Sequence, residues 1–239
     1  EKIIEEIEAS TDKREPPSEP DVVPAVVAAA SAAPTKSRWF ELLSPFYRRR
    51  TFVVWGLWAC AYFVANGLNN WMPTFYNMVY GLNVRGSLWA APLTNAAQVA
   101  LLLVCVFVID RVGRRNWMLT CFASGSVLLA ILGFFGSGSV VAAMILATIS
   151  YGIIGSVNAV VYLYTPEIYP TRMRAAATGA ATCWLRIASA LAPWVVGYLV
   201  AERGISAVFL VFACVAALGA LVSTQMLETR NRRLEDLAP

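Results

Sequence analysis

The sequence contains no histidine and has few charged residues of either sign. Among its 239 residues are 19 Lys and Arg and 15 Asp and Glu, so charged residues make up 14% of the chain, against about 25% in an average soluble domain. A chain without histidine has no His-based proton relay and no His metal ligand, and we predict no metal site and no cofactor. An enzyme is also disfavoured, because the sequence shows no Ser- or Cys-based nucleophile motif and no glycine-rich phosphate-binding loop.

The five cysteines lie inside apolar runs and show no paired spacing. Isolated apolar positions of this kind are typical of small packing residues rather than of disulfides or metal ligands. The cysteines are Cys60, Cys105, Cys121, Cys183 and Cys214.

Apolar residues, in contrast, are abundant: they form 58% of the chain, and its mean hydropathy is +0.59. They are concentrated in runs long enough for spanning helices, each of which needs about 20 predominantly apolar residues. One run is too long for a single helix, and the sequence GSGS at 136–139 predicts a turn inside it. We therefore predict an all-α, polytopic membrane protein with six transmembrane helices at about 52–77, 87–109, 116–135, 140–165, 175–200 and 205–227.

Polar segments flank these spans. Residues 1–50 begin with a short charged helix pattern and continue through a Pro- and Ala-rich linker. Within them, residues 37–50 combine aromatic side chains with a terminal basic cluster, which predicts an interfacial helix on the cytoplasmic leaflet. Residues 51–227 form the predicted transmembrane bundle, and residues 228–239 form a C-terminal tail.

The distribution of basic residues predicts the orientation of the chain. All of the 19 Lys and Arg residues except Arg85, Arg186 and Arg203 lie before the first span, after the second, after the fourth or after the last. Under the positive-inside rule, both termini of this segment are therefore cytoplasmic, and we predict a multi-pass protein of the plasma (inner) membrane. The dispersal of these charges over separate loops disfavours a nucleic-acid partner.

Three charged motifs occur at the predicted cytoplasmic helix ends: DRVGRR at 110–115, PEIYPTRMR at 166–174 and ETRNRRLED at 228–236. Each places a carboxylate near arginines, so charge-assisted pairs can form between helix ends. Pairs that form in one conformation and break in another act as a latch for a rocking bundle. Scattered basic residues alone are explained by ordinary positive-inside loops, whereas the ordered set of three motifs favours the latch.

In this order and spacing, the three motifs resemble the C-terminal half of a major facilitator superfamily transporter. The likeness is closest to the sugar-porter branch and to the aromatic-acid and niacin-type metabolite:proton symporter branch. It covers nearly the whole chain, because residues 1–50 are similar to the central cytoplasmic loop and the six spans to helices 7–12. The resemblance also implies a salt bridge between Glu167 and Arg174. The cytoplasmic gate residues that it implies are Asp110, Arg114, Arg115, Glu167, Arg172, Arg174 and Glu228.

Transporters of this kind hold their substrate between two six-span halves, and this chain supplies one half. The resemblance therefore implies an N-terminal six-helix half, either upstream in the same chain or on a partner. No Asp or Glu lies inside a predicted span, so a carboxylate that couples transport to protons is expected in that other half.

Arg186 is the only charged residue between Ala175 and Ala201. A guanidinium near the bilayer centre costs about 2.5–3.5 kcal/mol on insertion scales, so it must face a protein interior or a wet cavity. Helical spacing places polar side chains of the first, fourth and fifth spans on single faces at similar depth, including Tyr162 on the fourth. The candidate substrate-binding residues are Arg186, Tyr62, Asn66, Asn70, Tyr151, Asn158 and Thr182.

Aromatic rings, amides and one cation suit a small aromatic or heteroaromatic carboxylate. The leading hypothesis is thus a secondary active transporter segment that works by alternating access with proton coupling. A sugar or polyol carrier and a non-transporting receptor on the same fold stay open as alternatives. For the individual residues, Asn, Thr and Gln98 also suit hydrogen bonds between helices, and Arg186 also suits a counter-ion for a carboxylate in the other half.

Overall fold

Six long helices make up most of the chain. The computed structural model describes residues 39–81, 84–135 and 140–230. Across those ranges there is no strand, and six helices are long and apolar enough to cross a membrane, which confirms the predicted all-α membrane fold. After a short 3-10 helix at Trp39–Leu43, the helices are α1 (Arg48–Tyr80), α2 (Val84–Val112), α3 (Arg114–Phe135), α4 (Val140–Glu167), α5 (Thr171–Arg203) and α6 (Ile205–Ser223).

Some sequence predictions fall outside the described ranges. They are the short N-terminal helix and its linker up to residue 38, the turn at 136–139 and the tail beyond residue 230. The long apolar run is nevertheless divided into two helices, since α3 ends at Phe135 and α4 begins at Val140. By its internal contacts the chain separates after Lys36, and all of the described residues belong to the unit that follows.

The segment before the first span differs from its prediction. A single interfacial helix over 37–50 is wrong, because the 3-10 helix ends at Leu43 and α1 begins only at Arg48. The side chain of Leu42 turns inward and is buried, and its backbone oxygen accepts a hydrogen bond from Thr51 Oγ1 at 2.8 Å. These contacts fold the segment back against the start of α1, which a continuous helix would not allow.

The last helix is shorter than predicted and ends at Ser223 rather than near residue 227. Beyond it, Gln225 and Met226 form turn hydrogen bonds to Val222 and Ser223. Leu227 then donates its backbone N–H to Tyr164 Oη at 3.1 Å. The sequence stays apolar beyond the helix, and Met226 in this turn is buried against the bundle. Hydropathy alone does not separate such a buried turn from a helix.

The helix α1 is the centre of the bundle and packs against α2, α4, α5 and α6. Its buried residues Leu57, Ala61, Val64 and Leu68 recur at helical spacing. The helix α3 packs on the other side of the bundle, against α4 and α6. The least buried spans are α2 and α5, so these two helices carry the largest faces left open by this six-helix unit.

Small residues allow α6 to approach its neighbours closely. A Cβ at Gly219 would lie 2.6 Å from the ring of Phe122 on α3, and one at Gly67 on α1 would overlap the ring of Phe212. Close approach at glycine is a usual way for membrane helices to pack, because van der Waals contact replaces the hydrophobic effect there. The packing fixes the positions of α1 and α3 relative to α6.

Candidate functional site

The first two charged motifs and the described part of the third, up to Arg230, meet at one end of the bundle, which we call the charged end (residues 110–115, 166–174 and 224–230). Arg114 lies there between two carboxylates, with Nη1 2.9 Å from Asp110 Oδ1 and Nη2 3.3 Å from Glu167 Oε1. The side chains of Arg114 and Glu167 are 15% and 19% exposed, whereas that of Asp110 is 76% exposed. Since solvent screens the exposed pair, the pair between Arg114 and Glu167 is the stronger of the two.

The segment 224–230, which we call the C-terminal clasp, contacts Glu167 and the two arginines at the start of α3. Thr229 is buried, and its Oγ1 donates to Glu167 Oε2 at 2.6 Å. Arg115 Nη2 donates to the backbone oxygen of Thr224 at 2.9 Å. The clasp therefore ties the end of α6 to the end of α4 and to the start of α3.

Glu228 of the clasp caps the N-terminus of α3. Its Oε1 accepts the backbone N–H of Arg114 at 3.1 Å, where the helix dipole favours a negative charge. The preceding residue, Gly113, has φ +93°, and a Cβ there would lie 2.7 Å from Glu228 Oε2. Glycine is thus required for two reasons: it adopts the left-handed turn that ends α2, and it leaves room for the carboxylate.

The second acid–base pair implied by the resemblance is not formed between the described residues. Glu167 pairs with Arg114, and Arg174 Nε instead donates to the backbone oxygen of Tyr169 at 3.1 Å. Arg172 Nη1 lies 3.0 Å from Glu41 Oε2, beside the 3-10 helix. The arginines at the start of α5 therefore bind the loop and the segment before α1, while the carboxylate at the end of α4 faces α3.

Tyr169 was not anticipated from the sequence. Its buried hydroxyl lies 2.9 Å from Thr51 Oγ1, which links the loop after α4 to the first turn of α1. Burial is the main cause that raises the pKa of Tyr169, so the hydroxyl stays neutral and available for this bond. Its position inside the PEIYPTRMR motif could have indicated a role, but its partner Thr51 is distant in sequence and was not predictable.

Arg186 lies near the middle of α5, which runs for 33 residues. Its side chain is exposed on this half, and it forms no hydrogen bond or ion pair with any residue in the described ranges. One turn further along the same face, Ser189 Oγ accepts a hydrogen bond of 2.7 Å from Asn66 Nδ2 on α1. The face of α1 that carries Asn66 therefore lies beside the face of α5 that carries Arg186.

An aromatic cluster of Trp58, Tyr62 and Tyr162 connects α1 with α4. The ring of Trp58 is stacked on Tyr62 at 5.7 Å and meets Tyr162 edge-on at 4.4 Å between ring centroids. Trp58 is fully buried, and its Nε1 donates to Thr165 Oγ1 at 2.9 Å. Tyr162 is 45% exposed, so the cluster offers a ring surface at the open side of the bundle.

The sequence pattern predicted Tyr62 as a candidate and placed Tyr162 on a polar face, but Trp58 was not among the predicted residues. The residue lies one turn before Tyr62, so the helical spacing that selected Tyr62 was a usable signal. It was overlooked because tryptophan is apolar and the run around it is uniformly hydrophobic.

The remaining candidates lie in different surroundings. Tyr151 is buried, and its hydroxyl donates to Asn69 Oδ1 at 3.2 Å across the interface of α1 and α4. Thr182 Oγ1 donates to the backbone oxygen of Gly179 in its own helix at 2.7 Å. Tyr151, like Asn66, thus forms a bond between helices and Thr182 one within its helix, whereas Asn70 is exposed.

The sugar (and other) transporter family matches residues 3–239 of the chain. The chain belongs to this family. This family consists of membrane transporters of the major facilitator superfamily rather than of enzymes, and it is the superfamily that the three motifs resemble.

Similar transporters come from bacteria and from animals. The chain is 27% identical to the niacin transporter NiaP of Acinetobacter baylyi over 220 residues, which cover 90% of the chain and 49% of that protein. It is 28% identical to the cis,cis-muconate transport protein of the same organism over 179 residues, or 74% of the chain and 43% of that protein. It is 28% identical to the synaptic vesicle 2-related protein of Xenopus laevis over 216 residues, which cover 82% of the chain and 39% of that protein. The chain thus spans about half or less of the length of these relatives.

Proposed function

We propose that this chain forms one half of a secondary active transporter that moves a small aromatic or heteroaromatic carboxylate by alternating access, driven by protons. The observation that carries the proposal is Arg186: a cation at mid-span, exposed on this half, with no partner among the described residues. Holding such a cation in a membrane costs about 2.5–3.5 kcal/mol. That cost is explained if an anion occupies the site during each transport cycle.

The neighbouring side chains suit the rest of such a molecule. A guanidinium binds a carboxylate through two parallel hydrogen bonds. The aromatic cluster of Trp58, Tyr62 and Tyr162 supplies a surface on which a ring can stack, since it is packed on one side and exposed at Tyr162. Asn66, held by Ser189, lies between these two parts of the proposed site.

Two relatives support a carboxylate in preference to a neutral sugar. One is named as a niacin transporter and the other as a cis,cis-muconate transport protein, and both of those molecules are carboxylates. The family as a whole is described as transporting sugars and other molecules, so a sugar or polyol carrier is the second candidate. A neutral sugar gives no reason for Arg186.

At the charged end, we propose a gate on the cytoplasmic side of the plasma membrane. The orientation is supported by the distribution of Lys and Arg in the sequence. In the conformation of this structure, Arg114, Glu167 and the C-terminal clasp are joined. Opening the gate requires these pairs to separate, so their making and breaking would accompany alternating access.

The transporter would also need a second six-helix half and a proton-coupling carboxylate. We place both outside this chain, because the chain spans about half or less of its relatives and the substrate of such carriers lies between two halves. The sequence upstream of residue 1 tests this directly: six further apolar spans are expected there, and a start codon close to Glu1 would point to a partner subunit instead.

The test of the substrate uses cells that express the complete gene product. Uptake of labelled nicotinate, benzoate and glucose is measured for the native protein and for Arg186→Lys, Arg186→Ala and Arg203→Ala at equal surface levels. We expect carboxylate uptake that Arg186→Lys weakens substantially, Arg186→Ala nearly abolishes and Arg203→Ala leaves intact. The lysine keeps the charge but loses the forked geometry.

Other results of this experiment would favour the alternative functions. Uptake of glucose alone would identify a sugar carrier. No uptake of any of the three solutes, from a protein inserted correctly, would favour a receptor. Carboxylate uptake that survives Arg186→Ala would remove Arg186 from the site.

A further inference from the structure

Asn158 on α4 is the one candidate residue whose side chain is partly enclosed and yet unpaired. Its Oδ1 is buried without a hydrogen-bond partner, and no bond from its Nδ2 to any described residue is present. Exchanging the oxygen and nitrogen of the carboxamide does not change this result, because both ends lack a partner. An amide in a membrane span ordinarily finds one.

Two other polar side chains of this region have hydrogen-bond partners. Trp58 bonds to Thr165, and Asn66 bonds to Ser189. Asn158 therefore differs from the residues that hold the helices together, and a packing role does not explain an amide at this position. An apolar side chain of similar size would fill the same space without leaving a polar group unpaired.

Asn158 lies on α4 between a contact with Gln98 of α2 and the aromatic cluster. On the same face of α4, Gly155 lies one turn before it and Tyr162 one turn after it. The carboxamide of Gln98 from α2 lies against Gly155, where a Cβ would be 2.6 Å from Gln98 Nε2. Gly155 thus allows the carboxamide of Gln98 to pack on α4 one turn from Asn158, and the exposed ring of Tyr162 lies one turn away on the other side.

We propose that Asn158 is a specificity-determining residue, whose carboxamide hydrogen-bonds a polar ring atom or substituent of the transported carboxylate. The assignment rests on the proposed function: Arg186 takes the carboxylate, the aromatic cluster takes the ring, and Asn158 takes a ring nitrogen or a hydroxyl group. The substrate class is then a heteroaromatic or hydroxylated aromatic carboxylate, with an unsubstituted ring as a poor substrate. A carboxamide suits both kinds of group, because it donates and accepts hydrogen bonds.

The test compares substrates that differ only in this polar group. Uptake of nicotinate, 4-hydroxybenzoate and benzoate is measured with the complete carrier, in its native form and as Asn158→Leu, at equal surface levels. A site built around a hydrogen bond rejects the analogue that lacks it. We expect the native carrier to favour nicotinate or 4-hydroxybenzoate over benzoate about tenfold in kcat/KM, which corresponds to one unpaired amide. Asn158→Leu is expected to lower uptake of nicotinate and 4-hydroxybenzoate about tenfold more than uptake of benzoate, which removes this preference.

The matched control is Asn66→Leu, which removes an amide of the same size that bonds to Ser189. This variant is expected to lower uptake of all three substrates together and to leave their ratios unchanged. Equal losses for all substrates in Asn158→Leu, or an unchanged ratio, would overturn the assignment of Asn158 while leaving the proposed function intact. If the native carrier takes up none of the carboxylates, the proposed function fails and this assignment fails with it.

Discussion

The carboxylates of the charged end and two polar residues at mid-span differ in whether they have partners within the structure. At the charged end, the carboxylates of Asp110, Glu167 and Glu228 all have partners within the structure. At mid-span, Arg186 and Asn158 have none among the described residues. Groups that are satisfied internally hold one conformation in place, whereas groups left unsatisfied gain most from a ligand. Under the proposed function, the contrast separates the residues of the gate from those that bind the substrate.

The helix α1 connects the two regions. Near its start Thr51 bonds to Tyr169 at the charged end, and further along Asn66 bonds to Ser189 beside Arg186. A movement of α1 relative to α4 and α5 would therefore change contacts both at the charged end and beside Arg186. A substrate that draws α1 and α5 together is expected to change the contacts of the gate.

Breaking the central pair of the charged end is expected to have the largest effect on stability. In Arg114→Ala, Glu167 keeps its sheltered position but loses its cation, which costs about 3 kcal/mol of unfolding free energy for a pair of this kind. The measurement is denaturant unfolding of the purified protein. Arg111→Ala is the matched control, since Arg111 lies in the same motif and is exposed. Equal losses in the two variants would remove the distinction between paired and unpaired charges.

A smaller effect on the unfolding free energy is expected for alanine at Gly113, which can be compared with alanine at Gly204. Both Gly113 and Gly204 have positive φ, but only Gly113 lies against another side chain, that of Glu228. Alanine at either site is strained by about 1–3 kcal/mol, because both backbone conformations disfavour a residue with a Cβ, and at Gly113 it also displaces the cap of α3. Gly113→Ala should therefore lower the unfolding free energy more than Gly204→Ala does. Similar losses would show that Glu228 contributes little to the clasp.

The smallest of these effects concerns two threonines near the open face. Thr165→Val removes the acceptor for Trp58 Nε1 and is expected to cost about 1 kcal/mol, because the indole N–H is left unpaired. The loosened aromatic cluster should raise KM for uptake severalfold. Thr182→Val, in contrast, removes only a bond to its own helix and should leave both quantities nearly unchanged. A large rise in KM for Thr182→Val would return Thr182 to the substrate site.

Much of the fold was predictable from the sequence, because hydropathy depends on residues that are neighbours in the chain. The apolar runs predicted six helices, with the longest run divided at GSGS between α3 and α4. The end of α6 was placed too late, since the burial of Met226 depends on packing that hydropathy does not report. The segment 37–50 was misread as one helix for a similar reason: its turn depends on the contact between Leu42 and Thr51.

The site was predictable only in part. Arg186 was singled out as a candidate because recognising a single charge in an apolar run needs no knowledge of its neighbours, and its role in substrate binding stays a prediction. The partner of Glu167 was wrong, because Arg174 is nearer in the motif while Arg114 is nearer in space. The unpaired state of Asn158 could not be seen at all, since hydrogen bonds between helices depend on how α2 and α4 pack.

The central claim is that the unpaired cation of α5 binds the anionic group of the substrate. Calorimetric titration of nicotinate into the purified complete carrier tests it most directly, with the native protein compared with Arg186→Ala at neutral pH. The account predicts saturable binding that weakens about a hundredfold in the variant, the loss expected when a charged hydrogen-bonding partner is removed. Equal affinities of two well-folded proteins would contradict it.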